Sequence, residues 1–216
     1  MNFKLKLGMF ALCSALMFSA GCKKDETENP SNPSNPSNPT VPPVSTNKLC
    51  DGNGTNAFMP IVQQNRWEWK QQGSGNVVHT WKLNGTQVID SKTYQVMNVV
   101  WDSGFTETDW YFRVAADGTV YRYANSTEYV YLPAAPTLNQ QWTYPSVGAQ
   151  AGQGFRKVTA LNKTLSTSSC SYTGLMEIKE YSSATNVNTT YYYKKGLGIV
   201  RFNSLVNSDL RAVTLN

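Results

Sequence analysis

The chain has 216 residues, enough for one well-buried core and too few for several large domains. Its net charge of +5 is carried by single or paired Lys and Arg. That spread lacks the basic stripe a nucleic-acid surface needs, so no nucleic-acid partner is expected. Tyr, Trp, Thr and Val are plentiful, with Gly, Asn and Ser dispersed between short apolar runs, a composition that points to β structure.

Lys4 and Lys6 give a positive start, and the fifteen residues from Leu7 to Gly21 are apolar, ending in small side chains. At about 1.5 Å per residue such a helix falls short of a hydrocarbon core about 30 Å thick. Residues 1–21 are therefore expected to be a cleaved export signal rather than a membrane span. Ser19-Ala20-Gly21-Cys22 resembles the lipobox of bacterial lipoproteins, which implies a lipid on the Cys22 sulfur and a membrane partner reached through it. Ser19 departs from the leucine usual at that place, and an ordinary signal peptide is the alternative. Cys22-Lys23-Lys24-Asp25-Glu26 is similar to the start of mature Bacteroidota lipoproteins. That resemblance implies the outer membrane, with the cell surface and the periplasmic face both left open.

Asn29 to Thr40 reads NPSNPSNPSNPT and runs on into Val41-Pro42-Pro43. Each proline removes an amide donor and holds its predecessor extended, and there is almost no apolar surface to bury. Residues 22–46 are expected to be a lipidated, solvated linker. Cys13 falls in the signal and Cys22 takes the lipid, leaving Cys50 and Cys170 in an oxidising compartment. One disulfide is expected from this pair, with two unrelated buried thiols as the alternative.

Residues 47–216 read as a single β-rich domain of about ten strands with little helix. Trp67 and Trp69 share one strand face. Val77, His79, Trp81 and Leu83 share the next, and Asn84-Gly85 follows as a hairpin signal. Tyr94 to Trp101 is a long strand. Asp109 to Val114 leads through Asp117-Gly118 into Thr119 to Tyr123, and Glu128 to Leu132 closes the set. The order then repeats: Asn65-Arg66-Trp67-Glu68-Trp69 is echoed by Asn139-Gln140-Gln141-Trp142-Thr143-Tyr144, and Gly118-Thr119-Val120 by Gly198-Ile199-Val200. The offsets, 75 and 80 residues, are close enough to suggest an internal duplication, although generic hairpin chemistry could imitate one.

The stretch Phe58 to Trp69, the Asp117-Gly118-x-Val120-Tyr121 hairpin and the closing Tyr191 to Val200 segment resemble a set of uncharacterised Bacteroidota outer-membrane lipoproteins. The resemblance spans most of the domain and implies an antiparallel β fold; its motifs are structural and carry over no catalytic residue. The expected fold is all-β: an antiparallel meander forming a barrel or half-barrel, from two duplicated halves if the echo is real. A two-layer sandwich is the alternative.

His79 is the sole histidine, so neither a Ser-His-Asp set nor a multi-histidine metal site is recognisable. Cys50 and Cys170 lack CxxC spacing, and no cofactor is implied. The carboxylates Glu68, Asp102, Glu107 and Asp109 offer a weak case for glycoside hydrolysis, and a solvated hairpin tip is the preferred reading of the last three. Trp101 and Trp110 flank that polar stretch and are expected to be exposed, which makes them the candidate ligand-binding pair. The expected function is a non-enzymatic lipoprotein that binds a glycan, an apolar molecule or an envelope protein. An accessory subunit of an envelope complex and, further off, a glycan-active enzyme are the alternatives.

Overall fold

A computed structural model describes residues 49–74, 76–101, 106–145, 153–182, 186–205 and 207–216, with residues 101, 106–108 and 153 described for their backbone alone. The export signal, Cys22 and the linker lie outside the described residues. Twelve strands follow in chain order: β1 (Arg66–Gln71), β2 (Val77–Ile89), β3 (Lys92–Trp101), β4 (Thr106–Val114), β5 (Val120–Ala124) and β6 (Thr127–Leu132). The second set is β7 (Gln141–Pro145), β8 (Gln153–Ser166), β9 (Ser171–Tyr181), β10 (Val187–Lys194), β11 (Gly198–Asn203) and β12 (Ser208–Thr214). Every pairing is antiparallel.

The sheet order runs β6-β5-β4-β3-β2-β1-β12-β11-β10-β9-β8-β7. It curls until its two edges, β6 and β7, approach each other, giving a nearly closed barrel with one unsealed seam. The sandwich alternative is thereby set aside. Period-two alternation decides which face turns inward. Trp67 and Trp69 on β1, Trp81 and Leu83 on β2, and Val158 and Ile178 on β8 and β9 are buried in the lumen. Between them Arg66, Glu68, Lys70, Lys82, Lys157 and Lys179 face outward. A membrane-spanning barrel shows lipid an apolar outer belt, so these strands are built the other way round.

The two halves share a hydrogen-bonding pattern. Before β1, Gln64 has a φ of 66° and donates to Leu83 O, while Leu83 donates back to Asn65 O. Before β7, Asn139 has a φ of 66° and donates to Val158 O, while Val158 donates back to Gln140 O. The three matched pairs, Gln64/Asn139, Asn65/Gln140 and Leu83/Val158, each stand 75 positions apart. The ladders agree as well: Trp67↔Trp81 and Leu83↔Met97 correspond to Trp142↔Arg156 and Val158↔Ile178, and Met97↔Trp110 to Ile178↔Tyr191. On β3 and β4 against β9 and β10 the offset is 81, because the β8–β9 hairpin is longer than the β2–β3 hairpin.

One expected turn is not a turn. Asn84-Gly85 lies inside β2, where Gly85 (φ 89°) sits in a register shift between Leu83 and Thr86. The Gln63 side chain holds it there, accepting from Gly85 N at 2.8 Å and donating to Gly85 O at 2.7 Å. The hairpin turn falls instead at Asp90-Ser91, both with positive φ. Asp117-Gly118 does turn the chain, with Gly118 at φ 91° and Asp117 Oδ1 accepting from Thr119 N at 2.9 Å.

The residues before β1 close one end of the lumen. Met59 is buried against the Trp67 region, and Asn65, fully buried, donates to Pro60 O at 2.8 Å. Asn53 N donates to Gly196 O and Gly196 N to Ala57 O, docking this plug on the β10–β11 turn. Gly52 touches Gly196 so closely that a Cβ would meet its carbonyl at 2.8 Å. Cys50 and Cys170 are joined as a disulfide, with their Cα atoms 5.4 Å apart, which fixes the plug to the β8–β9 turn.

Candidate functional site

The other end of the lumen is not filled. Two connected chambers lie there, an outer one of about 510 Å³ and an inner one of about 250 Å³. Trp110, Arg122, Arg156 and Tyr191 line both. The position follows from strand direction: β2, β4, β6, β8 and β10 begin at this end, whereas β3, β5, β7, β9 and β11 finish here. Each inward residue near those termini therefore reaches the same space. Glu180 lies near the end of β9, Arg156 near the start of β8, Arg122 near the end of β5 and Trp110 midway along β4.

On one side the walls are aromatic. Trp69, Trp81 and Trp110 form a chain with centroids 4.3 and 5.1 Å apart, flanked by His79 and Phe202. Burial holds His79 down at a pKa of about 4, so its ring is neutral at pH 7 and packs as an aromatic. Trp110, expected to be exposed, is instead a partly buried residue of the lumen: it lies on β4 and packs against the core. Trp101 lies opposite His79 in the β2–β3 ladder, and its side chain is outside the described set. Asp109 is on strand β4 and takes a hydrogen bond from Asn98. Asp102 lies outside the described residues, as does the Glu107 side chain.

On the facing side the walls are charged. Arg156, only 4% exposed, donates from Nε and Nη2 to Glu180 Oε2 at 2.9 and 2.6 Å. Burial opposes its charge, and Glu180 with the surrounding tyrosines holds the guanidinium protonated well beyond its ordinary range. Its Nη1 donates to Tyr131 O at 3.0 Å, so one guanidinium ties β8 to edge strand β6 across the seam. Tyr131, Tyr144 and Tyr191 surround it at 4.2, 5.2 and 5.3 Å. Burial pushes the Tyr144 and Tyr191 hydroxyls up, keeping both neutral hydrogen-bonding groups. Gly154 leaves the room for Tyr144: a Cβ there would come within 2.7 Å of the ring. Arg122 lies over Trp110 with Cζ 4.1 Å from the ring centre.

Arg122, Arg156 and Glu180 escaped the sequence reading, although a signal was present. Arg156 has the parity of inward Val158, and Arg122 that of inward Val120.

No family model matches the chain, and no curated protein matches it. Two solved structures are similar in shape. One is a Bacteroides fragilis protein assigned as exported, with a YmcC-like fold; the alignment has a TM-score of 0.41 and 12% identity, covering 74% of this chain and 100% of that one. The other is a Parabacteroides distasonis protein assigned as a lipoprotein, with a TM-score of 0.41 and 13% identity, covering 74% of this chain and 99% of that one.

Proposed function

We propose that the chain is a lipid-anchored envelope lipoprotein of the outer membrane, held through Cys22, whose barrel binds a small ligand in its open mouth without transforming it. The observation that carries the binding part is the pair of chambers beside the Trp69-Trp81-Trp110 chain. A lumen plugged at one end and hollow at the other, walled by rings and a few polar groups, has the make-up of a ligand pocket. Flat apolar faces, of a ring compound or of a sugar, stack on such walls. The one histidine is buried and neutral within the aromatic packing, which favours binding over proton transfer.

Calorimetric titration of the full chain, carrying Cys22→Ala so that no lipid competes, with the neutral ring compound N-phenyl-1-naphthylamine tests the pocket. Saturable one-site binding that Trp110→Ala weakens about tenfold is expected; no binding, or binding indifferent to Trp110, would overturn it. The anchor is tested separately by palmitate labelling of cells. Label on the wild-type chain and none on Cys22→Ala is expected, and an unlabelled wild type sinks the lipidation. A second reading, an accessory subunit of an envelope complex, draws on an apolar groove of about 520 Å³ at the plugged end, walled by Phe58, Val62, Val114 and Pro133. Co-purification of a stoichiometric envelope protein, lost on Val114→Asp, would favour it.

A further inference from the structure

We propose that the inner chamber recognises an anionic group, a carboxylate or sulfonate carried on a flat apolar or sugar-like ring, through the guanidinium of Arg122. This rests on the mouth being a ligand site and goes on to name the chemistry it selects.

Arginines elsewhere in this fold that lie at least partly buried are matched to a carboxylate: Arg113 to Glu128, Arg156 to Glu180 and Arg201 to Asp209. Arg122 forms no ion pair among the described residues, and its Nε is buried with no hydrogen-bond partner. Stacking on Trp110 stabilises the cation through the ring face. Stacking leaves the in-plane N–H donors unused, however, and a half-buried donor without a partner is costly. Those donors form a planar fork whose geometry matches the two oxygens of a carboxylate or sulfonate.

The surroundings set the sign of the charge preferred. The inner chamber is lined by two guanidinium groups, those of Arg122 and Arg156, and by no described carboxylate. Glu180 and Asp109 border the outer chamber only, where each already accepts hydrogen bonds, from Arg156 and Asn98 respectively. The Thr189 residue also lines the inner chamber and brings a hydroxyl. Walls of Trp81, Trp110 and Phe202 keep the local dielectric low, which strengthens an ion pair formed there. The anionic group would occupy the inner chamber, and its ring would extend into the outer one beside Tyr191.

The test compares two probes with one ring system. 1-Anilinonaphthalene-8-sulfonate is N-phenyl-1-naphthylamine with a sulfonate added, so their difference reports the anion alone. With the full chain carrying Cys22→Ala, the sulfonate is expected to bind at least about tenfold more tightly than the neutral compound. Arg122→Gln is expected to erase that preference, bringing the two probes to equal affinity, and Arg211→Gln, on the exposed surface, to alter neither. Equal binding of the two probes, or a preference that survives Arg122→Gln, overturns the inference and leaves the pocket standing. Failure of both probes to bind overturns the pocket and the inference together. Should Arg122→Gln also lose the neutral probe, the wild type decides. A sulfonate affinity that falls several-fold at about 0.5 M salt relative to the neutral probe supports the ion pair, and an unchanged one overturns it. Displacement of the sulfonate by indole-3-acetate or by glucuronate then tells an aromatic acid from a sugar acid.

Discussion

The two halves of the barrel put different side chains on one lattice. Where β1 to β4 carry Trp69, His79, Trp81, Val99 and Trp110, the matching positions of β7 to β10 carry Tyr144, Gly154, Arg156, Glu180 and Tyr191. The first half fills its share of the lumen with a stacked aromatic column. The second half spends the same positions on a buried ion pair, a missing side chain and tyrosine hydroxyls. Pairing and parity fix where each Cβ points, and leave open whether packing or polar chemistry occupies the space. A mouth results because the second copy does not fill what the first one does.

The strongest way to break this contrast is at Glu180. Removing it alone, as Glu180→Leu, leaves Arg156 buried without its counterion and should cost about 4 kcal/mol, whereas Arg156→Met with Glu180→Leu should be nearly neutral. Urea unfolding of the two single variants and the double variant gives the coupling directly. A double variant as unstable as the single one would show that the second half needs its charges for folding.

The second half alone is bolted to the plug. Replacing Cys50 and Cys170 together by Ser frees a sequence separation of 120 residues and should lower stability by about 3 kcal/mol. Chymotrypsin cleavage after Phe58 in the plug is expected to speed up, while aromatic sites in β1 to β4 keep their protection; equal loss in both halves would mean that the two halves unfold as one.

His79 separates the halves by pH, since Gly154 stands in its place in the second copy. Its folded pKa is about 4 against 6.5 when unfolded, so the unfolded chain binds the extra proton between those values. The contribution of the neutral ring is complete above about pH 6.5, declines as pH falls towards 4, and does not change further below that. About 3 kcal/mol should be lost across the window, and His79→Phe should abolish the dependence there. Glu128, which Arg113 holds at a pKa of about 2, accounts for a separate loss from 4.5 downward. A denaturation series from pH 7.5 to about 3 resolves the two.

The smallest effect is expected at Gly154. Ala there pushes the far end of the Tyr144 ring outward rather than meeting backbone, so stability should fall by about 1 kcal/mol or less. The neutral naphthylamine should bind less tightly as the ring moves into the mouth; unchanged affinity would show that Tyr144 does not border the ligand.

Much of the scaffold was legible in advance because it depends on local pattern. The Trp67 and Trp142 strand starts, the Asp117-Gly118 turn and the Cys50–Cys170 bridge all stand where the sequence places them. Asn84-Gly85 misled because its local chemistry suits a turn, while a distant side chain, Gln63, keeps it in the strand. The site was harder to see. An arginine between Phe155 and Lys157 looks like an outward residue, and Phe155 like an inward one, yet Phe155 lies stacked on Tyr181 at 4.6 Å while Arg156 points in. The partner that makes Arg156 tolerable inside, Glu180, lies 24 residues away on another strand. Trp110 was singled out for its place beside polar residues, and it does reach the mouth, but from a strand inside the barrel.

The bond between Cys50 and Cys170 also has a mechanical consequence. Tension arriving along the chain from residues before Leu49 meets the bridge almost at once and passes through sulfur into the β8–β9 hairpin. The plug residues that follow Cys50 are thereby shielded from load, so a pull on the amino-terminal side stretches a covalent link instead of peeling the bottom off the barrel.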